Sequence, residues 1–454
     1  MKEILPEIVL DSPFQNCLFN REKYGDILIN LINNHQDGFV VSINNGWGTG
    51  KTTFIEMLKQ TLVNKNFETV YFNAWENDYD TDPLVSILGE LKMLANPIKD
   101  KEKMEKLVSN GSKLVLRGLG AVLKHQAEKY LGEVAVDVFK TITESGQEIV
   151  EKEINDYSEK KKNIIDFRNN LKDYISAREN EKPIIFIIDE LDRCRPDYGI
   201  NFLESIKHFF NVPNIVFILS IDKEQLSAAI KGFYGSESIN SDQYLKKIID
   251  LELSLPYPDL DLYYKKNINT IQIEDLNLKK PEYDISSLRA ELKKLFQIFY
   301  SNEKTPIRIL NKILNHQKLV IQSFGYDDYL SLSVVTFLIY LKYIHNDKYL
   351  KLIKRDINIL NELKDILFQK LESSNFNYNR FEMSYLINIY SFIIIYFNIE
   401  IDLNDFTKLD ISQEGLKELE KEIKSIKGNL LYSLGHNISK NFNYFDKIEF
   451  LSLN

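Results

Sequence analysis

A glycine-rich stretch between an apolar run and a helical pattern carries the residues best suited to phosphate chemistry. The sequence GWGTGKTT occupies positions 46–53 and follows the apolar run 39–43. Alternating glycines let the backbone curl so that successive N–H groups point at a phosphate chain, and the following helix adds its positive end. Lys51 would reach the β- and γ-phosphates, and the Thr52 hydroxyl would bind Mg²⁺. The stretch predicts a P-loop, or Walker A motif, for a nucleoside triphosphate.

One position departs from the usual P-loop pattern. The pattern G-x-x-x-x-G-K-[ST] places glycine where this chain has Asn45. Asparagine tolerates left-handed backbone better than any residue except glycine, so we expect the loop to form nonetheless. The predicted nucleotide-binding residues of the loop are Asn45, Gly46, Trp47, Gly48, Thr49, Gly50, Lys51, Thr52 and Thr53.

Two neighbouring carboxylates supply the second half of a triphosphate site. The run 184–188 is continuously apolar, as in a central parallel strand, and it ends in Asp189 and Glu190. Asp189 would hold Mg²⁺ through its water shell, and Glu190 would polarise the attacking water. Another apolar run, 215–219, precedes Ser220 and Asp222, and we expect one of these two beside the γ-phosphate.

Five short β-prone runs, separated by helical patterns, predict an α/β fold. We expect a parallel P-loop NTPase sheet with strand order 5-1-4-3-2 and helices on both faces. The predicted domains are a core of residues 1–98 and 183–260, a helical insertion of residues 99–182, and an all-helical C-terminal domain of residues 261–454. Within the insertion, the glycines from Gly111 onward are expected to interrupt the helices, and residues 149–180 to form a long charged helix or helical pair.

Composition excludes several classes. A net charge of −9 argues against a broadly basic nucleic-acid surface, although it leaves room for a local patch. Two cysteines and six scattered histidines indicate neither a disulfide framework nor a metal cluster. The N-terminal residues lack a signal-peptide pattern, and the most apolar stretch, 385–397, is too short to span a membrane. We therefore expect a cytoplasmic protein with no transmembrane segment.

Three further features have a functional interpretation and a structural one. Arg21 and Tyr24 precede the P-loop strand, where they could contact the nucleotide base or simply pack on the sheet. Arg308, on a helix after the core, could reach the γ-phosphate or form an ordinary surface ion pair. The apolar stretch 114–123 could serve a partner or membrane surface, although packing onto the protein's own core is favoured.

Several stretches together resemble the KAP family of P-loop NTPases. The loop WGTGKT at 47–52 is similar to the family's W-G-x-G-K-[ST], and FNAW at 72–75 is similar to its F-N-A-W. The most specific match is DELDRCRP at 189–196, which resembles D-D-L-D-R-C-x-P. Residues 244–249 and 307–311 are similar to the family's Y-L-x-K-I-I and K-R-h-h-N stretches.

The resemblance implies a Mg²⁺-dependent ATPase of the bacterial cytosol, and it associates the chain with phage defence. Many family members carry membrane-spanning helices between the two Walker motifs, but nothing in this insertion is long and apolar enough to span. The second acid of the family's D-D pair is Glu190 here, which favours hydrolysis.

The leading functional hypothesis is an ATPase whose binding or hydrolysis of ATP moves the helical domain. It would act as a homo-oligomer with a protein partner, and Arg193, Arg195 or Lys247 could serve a neighbouring subunit as a cationic finger. No N-K-x-D or T-K-x-D motif follows the later strands, which favours ATP over GTP. The alternatives are a nucleotide-bound scaffold with little hydrolysis and a phosphotransferase.

Overall fold

The chain divides into two compact units, Met1–Pro256 and Tyr257–Asn454. A computed structural model describes residues 7–17, 19–35, 37–79, 82–94, 101–118, 149–209, 211–257, 259–267, 285–300, 303–324, 330–373, 380–400, 417, 420–425 and 444–451. The boundary between the units lies four residues before the predicted end of the core at residue 260.

A five-stranded, fully parallel sheet is the centre of the first unit. Its strands are β1 (Phe39–Asn44), β2 (Thr69–Asn73), β3 (Ile184–Asp189), β4 (Ile215–Ile221) and β5 (Leu251–Leu253). The order β2-β3-β4-β1-β5 is the predicted order 5-1-4-3-2 read from the opposite edge. The edge strand β5 is three residues long rather than the predicted six, whereas β4 runs two residues further than predicted.

Helices cover both faces of this sheet. They are α1 (Glu22–Asn34), α2 (Lys51–Asn64), α3 (Pro83–Leu94), α4 (Lys101–Gly118), α5 (Ile149–Ser176), α6 (Pro196–Phe209), α7 (Lys223–Tyr234) and α8 (Ser241–Leu245). Helices α1 and α2 pack on one face of the central strands. Helices α3 to α8 contribute to the apolar core on the other face. Side chains alternate between the two faces along each strand, and both faces are covered, so every residue of the central strands β3 and β4 is buried.

The described helices of the insertion belong to the core of the first unit. Apolar residues of α4 and α5, including Leu107, Phe167 and Leu171, are fully buried in the same cluster as the sheet. Gly111 does not interrupt α4, contrary to the prediction. A Cβ at this position would lie 2.3 Å from a methyl carbon of Leu88, so the glycine allows α3 and α4 to approach closely. Of the stretch 114–123, residues 119–123 lie outside the described part of the chain.

All described elements of the second unit are helical. They are α9 (Leu260–Asn267), α10 (Ile285–Tyr300), α11 (Ile307–Gln322), α12 (Leu332–Ile344), α13 (Asn346–Ile353), α14 (Leu360–Ser373), α15 (Arg380–Phe397) and α16 (Tyr444–Phe450). The first ten residues of α12 are buried on every side, so this helix forms the centre of the unit. Among the described residues, no helix is long and apolar enough to cross a membrane.

Candidate nucleotide-binding site

The loop after β1 has the curled backbone that the glycine pattern predicts. Gly48 and Gly50 have φ angles of 74° and 83°, in the left-handed region that glycine adopts at little cost. The Thr49 hydroxyl donates a hydrogen bond to the Gly46 carbonyl oxygen at 2.8 Å and closes the turn. Helix α2 begins at Lys51, directly after the loop, so its N-terminal N–H groups adjoin the loop. This arrangement can accommodate a phosphate chain.

Asn45 fits the loop for a reason other than the predicted one. It is not among the described residues with positive φ, so tolerance of left-handed backbone does not explain it. Instead, its side-chain Nδ2 donates to the Leu255 carbonyl oxygen at 2.9 Å, and its Oδ1 accepts from the Leu255 N–H at 2.7 Å. The amide therefore ties the start of the P-loop to the chain segment just after β5, which a glycine could not do.

Arg21 stabilises the backbone of the P-loop through hydrogen bonds. Its side chain is only 3% exposed, and its terminal nitrogens donate to the carbonyl oxygens of Gly50 at 3.1 Å, Thr49 at 3.0 Å and Pro256 at 3.2 Å. These bonds use both terminal nitrogens and hold the guanidinium against the loop backbone, and the base-side role of Arg21 stays a prediction. Tyr24, one turn into α1, is half-buried with Lys23 over its ring at 5.1 Å, and its base-side role stays a prediction.

Lys51 lies folded over the P-loop. Its ammonium donates to the carbonyl oxygens of Asn45 and, at 3.3 Å, of Gly46. Burial lowers the pKa of Lys51, while the carboxylates of Asp192, Asp222 and Asp189 oppose that shift. The lysine therefore faces three acidic side chains from two other strand ends, which brings the P-loop and the acidic pair into one site.

The acidic pair lies at the carboxyl end of β3, as predicted. Asp189 is 1% exposed, accepts the Glu190 N–H at 3.0 Å, and accepts the Tyr71 hydroxyl at 3.4 Å. Glu190 has a φ of 61°, a left-handed conformation that costs a residue with a side chain about 1–2 kcal/mol. Strain of this kind is concentrated at functional sites. The Glu190 carboxylate is held by Arg193 at 2.7 Å and more weakly by the Asn73 amide at 3.4 Å.

The contacts of Trp47, Trp75 and Arg193 with one another were not predicted, although Trp47 was a predicted nucleotide-binding residue and Arg193 a candidate finger. The Trp47 indole N–H donates to Asp192 at 2.5 Å, which bonds the P-loop to the turn after β3. The Arg193 guanidinium carbon lies 5.8 Å from the centroid of the Trp47 ring and 5.7 Å from that of the Trp75 ring. We call these three residues, Trp47, Trp75 and Arg193, the tryptophan–arginine cluster. The signal was their presence in the three motif stretches that carry the family resemblance.

Asp222 and Ser220 occupy different environments at the end of β4. Asp222 caps α7, and its Oδ1 accepts the backbone N–H groups of Glu224 at 3.1 Å and Gln225 at 3.3 Å. Ser220 is the neighbour of Asp189 across the sheet and is fully buried, with its hydroxyl unpaired among the described residues. The predicted role of either residue beside the γ-phosphate stays a prediction.

The cationic residues predicted to contact the γ-phosphate or to serve a neighbouring subunit as a finger lie on different elements. Arg308 is exposed in the first turn of α11, in the second unit, and its contact with the γ-phosphate stays a prediction. Arg195 is exposed and donates to the Asp78 carbonyl oxygen at 2.7 Å. Lys247 is exposed after α8. Arg193 is paired with Glu190 in the same chain.

The residues present fit Mg²⁺ bound together with a triphosphate. No group of three or more metal-ligating side chains occurs among the residues that were described. Mg²⁺ usually takes one or two protein oxygens, with phosphate and water filling its octahedron. Thr52, half-buried in the first turn of α2, and the carboxylate of Asp189 match that donor set. Charge neutralisation on the phosphates is the chemistry that Mg²⁺ would supply here.

Comparison with known proteins identifies a family. The family described as the KAP family P-loop domain matches residues 21–395, most of the chain. The chain belongs to the KAP family of P-loop NTPases. Among solved structures, this KAP protein is similar to the ORC2 protein of Aeropyrum pernix, solved in ADPNP–ADP complexes, at 15% identity and a TM-score of 0.33 over 90% of this chain and 94% of that chain. A likeness at this level supports no conclusion about function. No curated protein matches.

Proposed function

We propose that this KAP protein is a Mg²⁺-dependent ATPase in which Glu190 activates the attacking water. The supporting observation is the conformation of Glu190, which has a left-handed backbone directly after Asp189 and a carboxylate held by Arg193 at 2.7 Å. The turn that carries Glu190 is bonded to the P-loop through Asp192 and Trp47. Backbone strain is concentrated at functional sites, and the strained conformation of Glu190 at the end of β3 therefore supports a role for it in the chemistry.

The other residues of the site would bind the phosphates and Mg²⁺. The loop N–H groups and Lys51 would bind the phosphates, and Thr52 and Asp189 would hold Mg²⁺. The Glu190 Oε1 is paired with Arg193, whereas among the described residues Oε2 has only the 3.4 Å contact with Asn73. Oε2 is therefore the oxygen available to accept a hydrogen bond from water and orient it toward the γ-phosphate.

The proposal extends to the coupling of hydrolysis to the helical second unit. Arg308 would link the γ-phosphate to that unit, so that hydrolysis changes the unit's position, and Asp222 would sense the γ-phosphate from β4. Arg193 is already paired with Glu190 and Arg195 is bonded to Asp78, so in a homo-oligomer we favour the exposed Lys247 as the finger given to a neighbour. The proposed role in phage defence rests on the family resemblance alone, and the proposed cytoplasmic location rests on that resemblance and on the expectation from the sequence.

Phosphate release from Mg-ATP and Mg-GTP tests the proposal. Wild type, Lys51→Ala and Glu190→Gln are compared at several protein concentrations. We expect ATP-selective turnover in wild type, with nucleotide binding lost in Lys51→Ala and turnover lost but ATP binding kept in Glu190→Gln. Specific activity that rises with concentration would support a finger from a neighbouring subunit. Tight ATP binding without turnover in wild type would contradict the proposal and support a nucleotide-bound scaffold.

A further inference from the structure

The tryptophan–arginine cluster joins three chain segments around Glu190. Trp47 comes from the P-loop, Trp75 from the short 3₁₀ turn Trp75–Asn77 after β2, and Arg193 from the 3₁₀ turn Leu191–Arg193 after β3. Both indole rings lie within 6 Å of the guanidinium, where a cation–π interaction is favourable. Arg193 in turn holds Glu190 at 2.7 Å.

The exposure of the two indoles is unusual for a purely structural role. Trp47 is 46% exposed and Trp75 is 50% exposed, so neither ring is an anchor of the apolar core. Their described polar contacts are directed at the site instead. The Trp47 indole N–H bonds Asp192, and the backbone N–H groups of Trp75 and Glu76 bond the Asn73 side-chain oxygen at 3.1 and 3.2 Å.

Asn73 completes the connection. The same side chain whose oxygen anchors the turn of Trp75 directs its Nδ2 at Glu190 Oε2, 3.4 Å away. Glu190 is therefore approached from one side by Arg193 and from the other by Asn73, and both of these residues are positioned by the turn of Trp75 or by its ring. A flexible glutamate in a strained turn would otherwise sample several rotamers.

We propose that Arg193, held against the indole rings of Trp47 and Trp75, is the positioning residue for Glu190 and links the orientation of that carboxylate to the conformation of the P-loop. The inference rests on the proposed function, because it assigns Glu190 the role of activating water. It assigns the positioning of the Glu190 carboxylate to two tryptophans and an arginine that do not themselves contact the reacting atoms.

Kinetics of variants at Trp75 give the first test, because Trp75 lies outside the P-loop. We expect Trp75→Ala to lower kcat about fivefold, which corresponds to roughly 1 kcal/mol for the lost cation–π contact, while the Kd for a fluorescent ATP analogue changes less than about twofold. Trp75→Phe should restore most of kcat, because it keeps an aromatic face. Phe233→Ala, which removes an aromatic ring of similar exposure on α7, is the matched control and should leave kcat unchanged.

Variants of the arginine separate geometry from charge. Arg193→Lys keeps the charge but loses the planar group, so we expect kcat to fall about as far as in Trp75→Ala. In the Glu190→Gln background, adding Trp75→Ala should not lower the residual rate further, because the cluster acts through that carboxylate. An additional loss of about fivefold in the double variant would overturn the inference, and so would a rise in kcat in Trp75→Ala.

Tryptophan emission provides a readout that does not depend on turnover. The chain has two tryptophans, so Trp47→Phe leaves Trp75 as the single emitter. In that background, we expect Arg193→Ala to increase acrylamide quenching of Trp75, whereas Arg168→Ala should not. Unchanged quenching overturns the inference even if wild type hydrolyses ATP. If wild-type turnover is lost in Glu190→Gln but unaffected by Trp75→Ala, the inference is overturned and the proposed function stands. If wild type shows no turnover, both are overturned.

Discussion

Restoring the usual glycine at the first P-loop position should harm this protein. Asn45 makes two hydrogen bonds to the backbone of Leu255, at 2.7 and 2.9 Å, and its backbone does not have the positive φ that would favour glycine. Each lost bond costs about 1 kcal/mol, and glycine adds about 0.5–1 kcal/mol of backbone entropy. We therefore expect Asn45→Gly to reduce the free energy of unfolding of the first unit by about 3 kcal/mol.

Urea unfolding followed by tryptophan emission measures this change directly, because both tryptophans lie in the first unit. Asn45→Ala separates the two contributions, since it loses the same hydrogen bonds without the extra entropy of glycine. It should be about 0.5–1 kcal/mol more stable than Asn45→Gly. An Asn45→Gly variant that is as stable as wild type and binds ATP equally well would show that Asn45 merely replaces glycine, and it would refute the account of the loop.

Three further perturbations have signs that follow from the described contacts. Arg21→Met leaves three backbone carbonyl oxygens without their donor, and in urea unfolding it should cost about 3–5 kcal/mol, whereas Arg168→Met, which removes one exposed bond, should cost less than about 1 kcal/mol. Gly38→Ala would place a Cβ 2.3 Å from a backbone carbonyl oxygen at a φ of 76°, so it should lower the melting temperature strongly, whereas Gly232→Ala on α7 meets nothing within 4 Å and should raise it slightly. Burial lowers the pKa of His316 to about 4, so as pH falls below about 6.5 the unfolded chain takes up the proton before the folded chain does. The free energy of unfolding of the second unit should therefore drop by about 3 kcal/mol between pH 6.5 and pH 4. His316→Gln should weaken this pH dependence in urea unfolding followed by circular dichroism. Equal costs for the two arginine variants, equal effects of the two glycine variants, or the same pH dependence with and without the histidine would contradict the respective argument.

The sheet was predictable because its signals are local and redundant. Strands β3 and β4 are continuous apolar runs, which indicates burial on both faces wherever they occur. The P-loop adds a second constraint, since a strand, a glycine loop and a helix in succession have few structural solutions. The largest error in strand length is at the edge strand β5, and edge strands have the weakest requirement for apolar residues on both faces.

The contacts of single side chains were not predictable in the same way. The sequence shows Asn45 and Arg21, but their partners include Leu255 and Pro256, more than 200 positions away, and no local pattern specifies such a contact. Gly111 illustrates the same limit, because its role depends on the approach of α3 to α4 and not on its neighbours along the chain. The candidate catalytic residues could be predicted because they follow the ends of apolar strands, whereas the residues that hold them in place depend on tertiary packing.

The central claim is that Glu190 promotes the attack of water on ATP. The most direct test is the identity of the nucleotide recovered after wild type and Glu190→Gln are loaded with Mg-ATP, incubated for one expected turnover and denatured. The account predicts ADP from wild type and intact ATP from Glu190→Gln, with equal nucleotide bound to each. Equal amounts of ADP from the two proteins would contradict it.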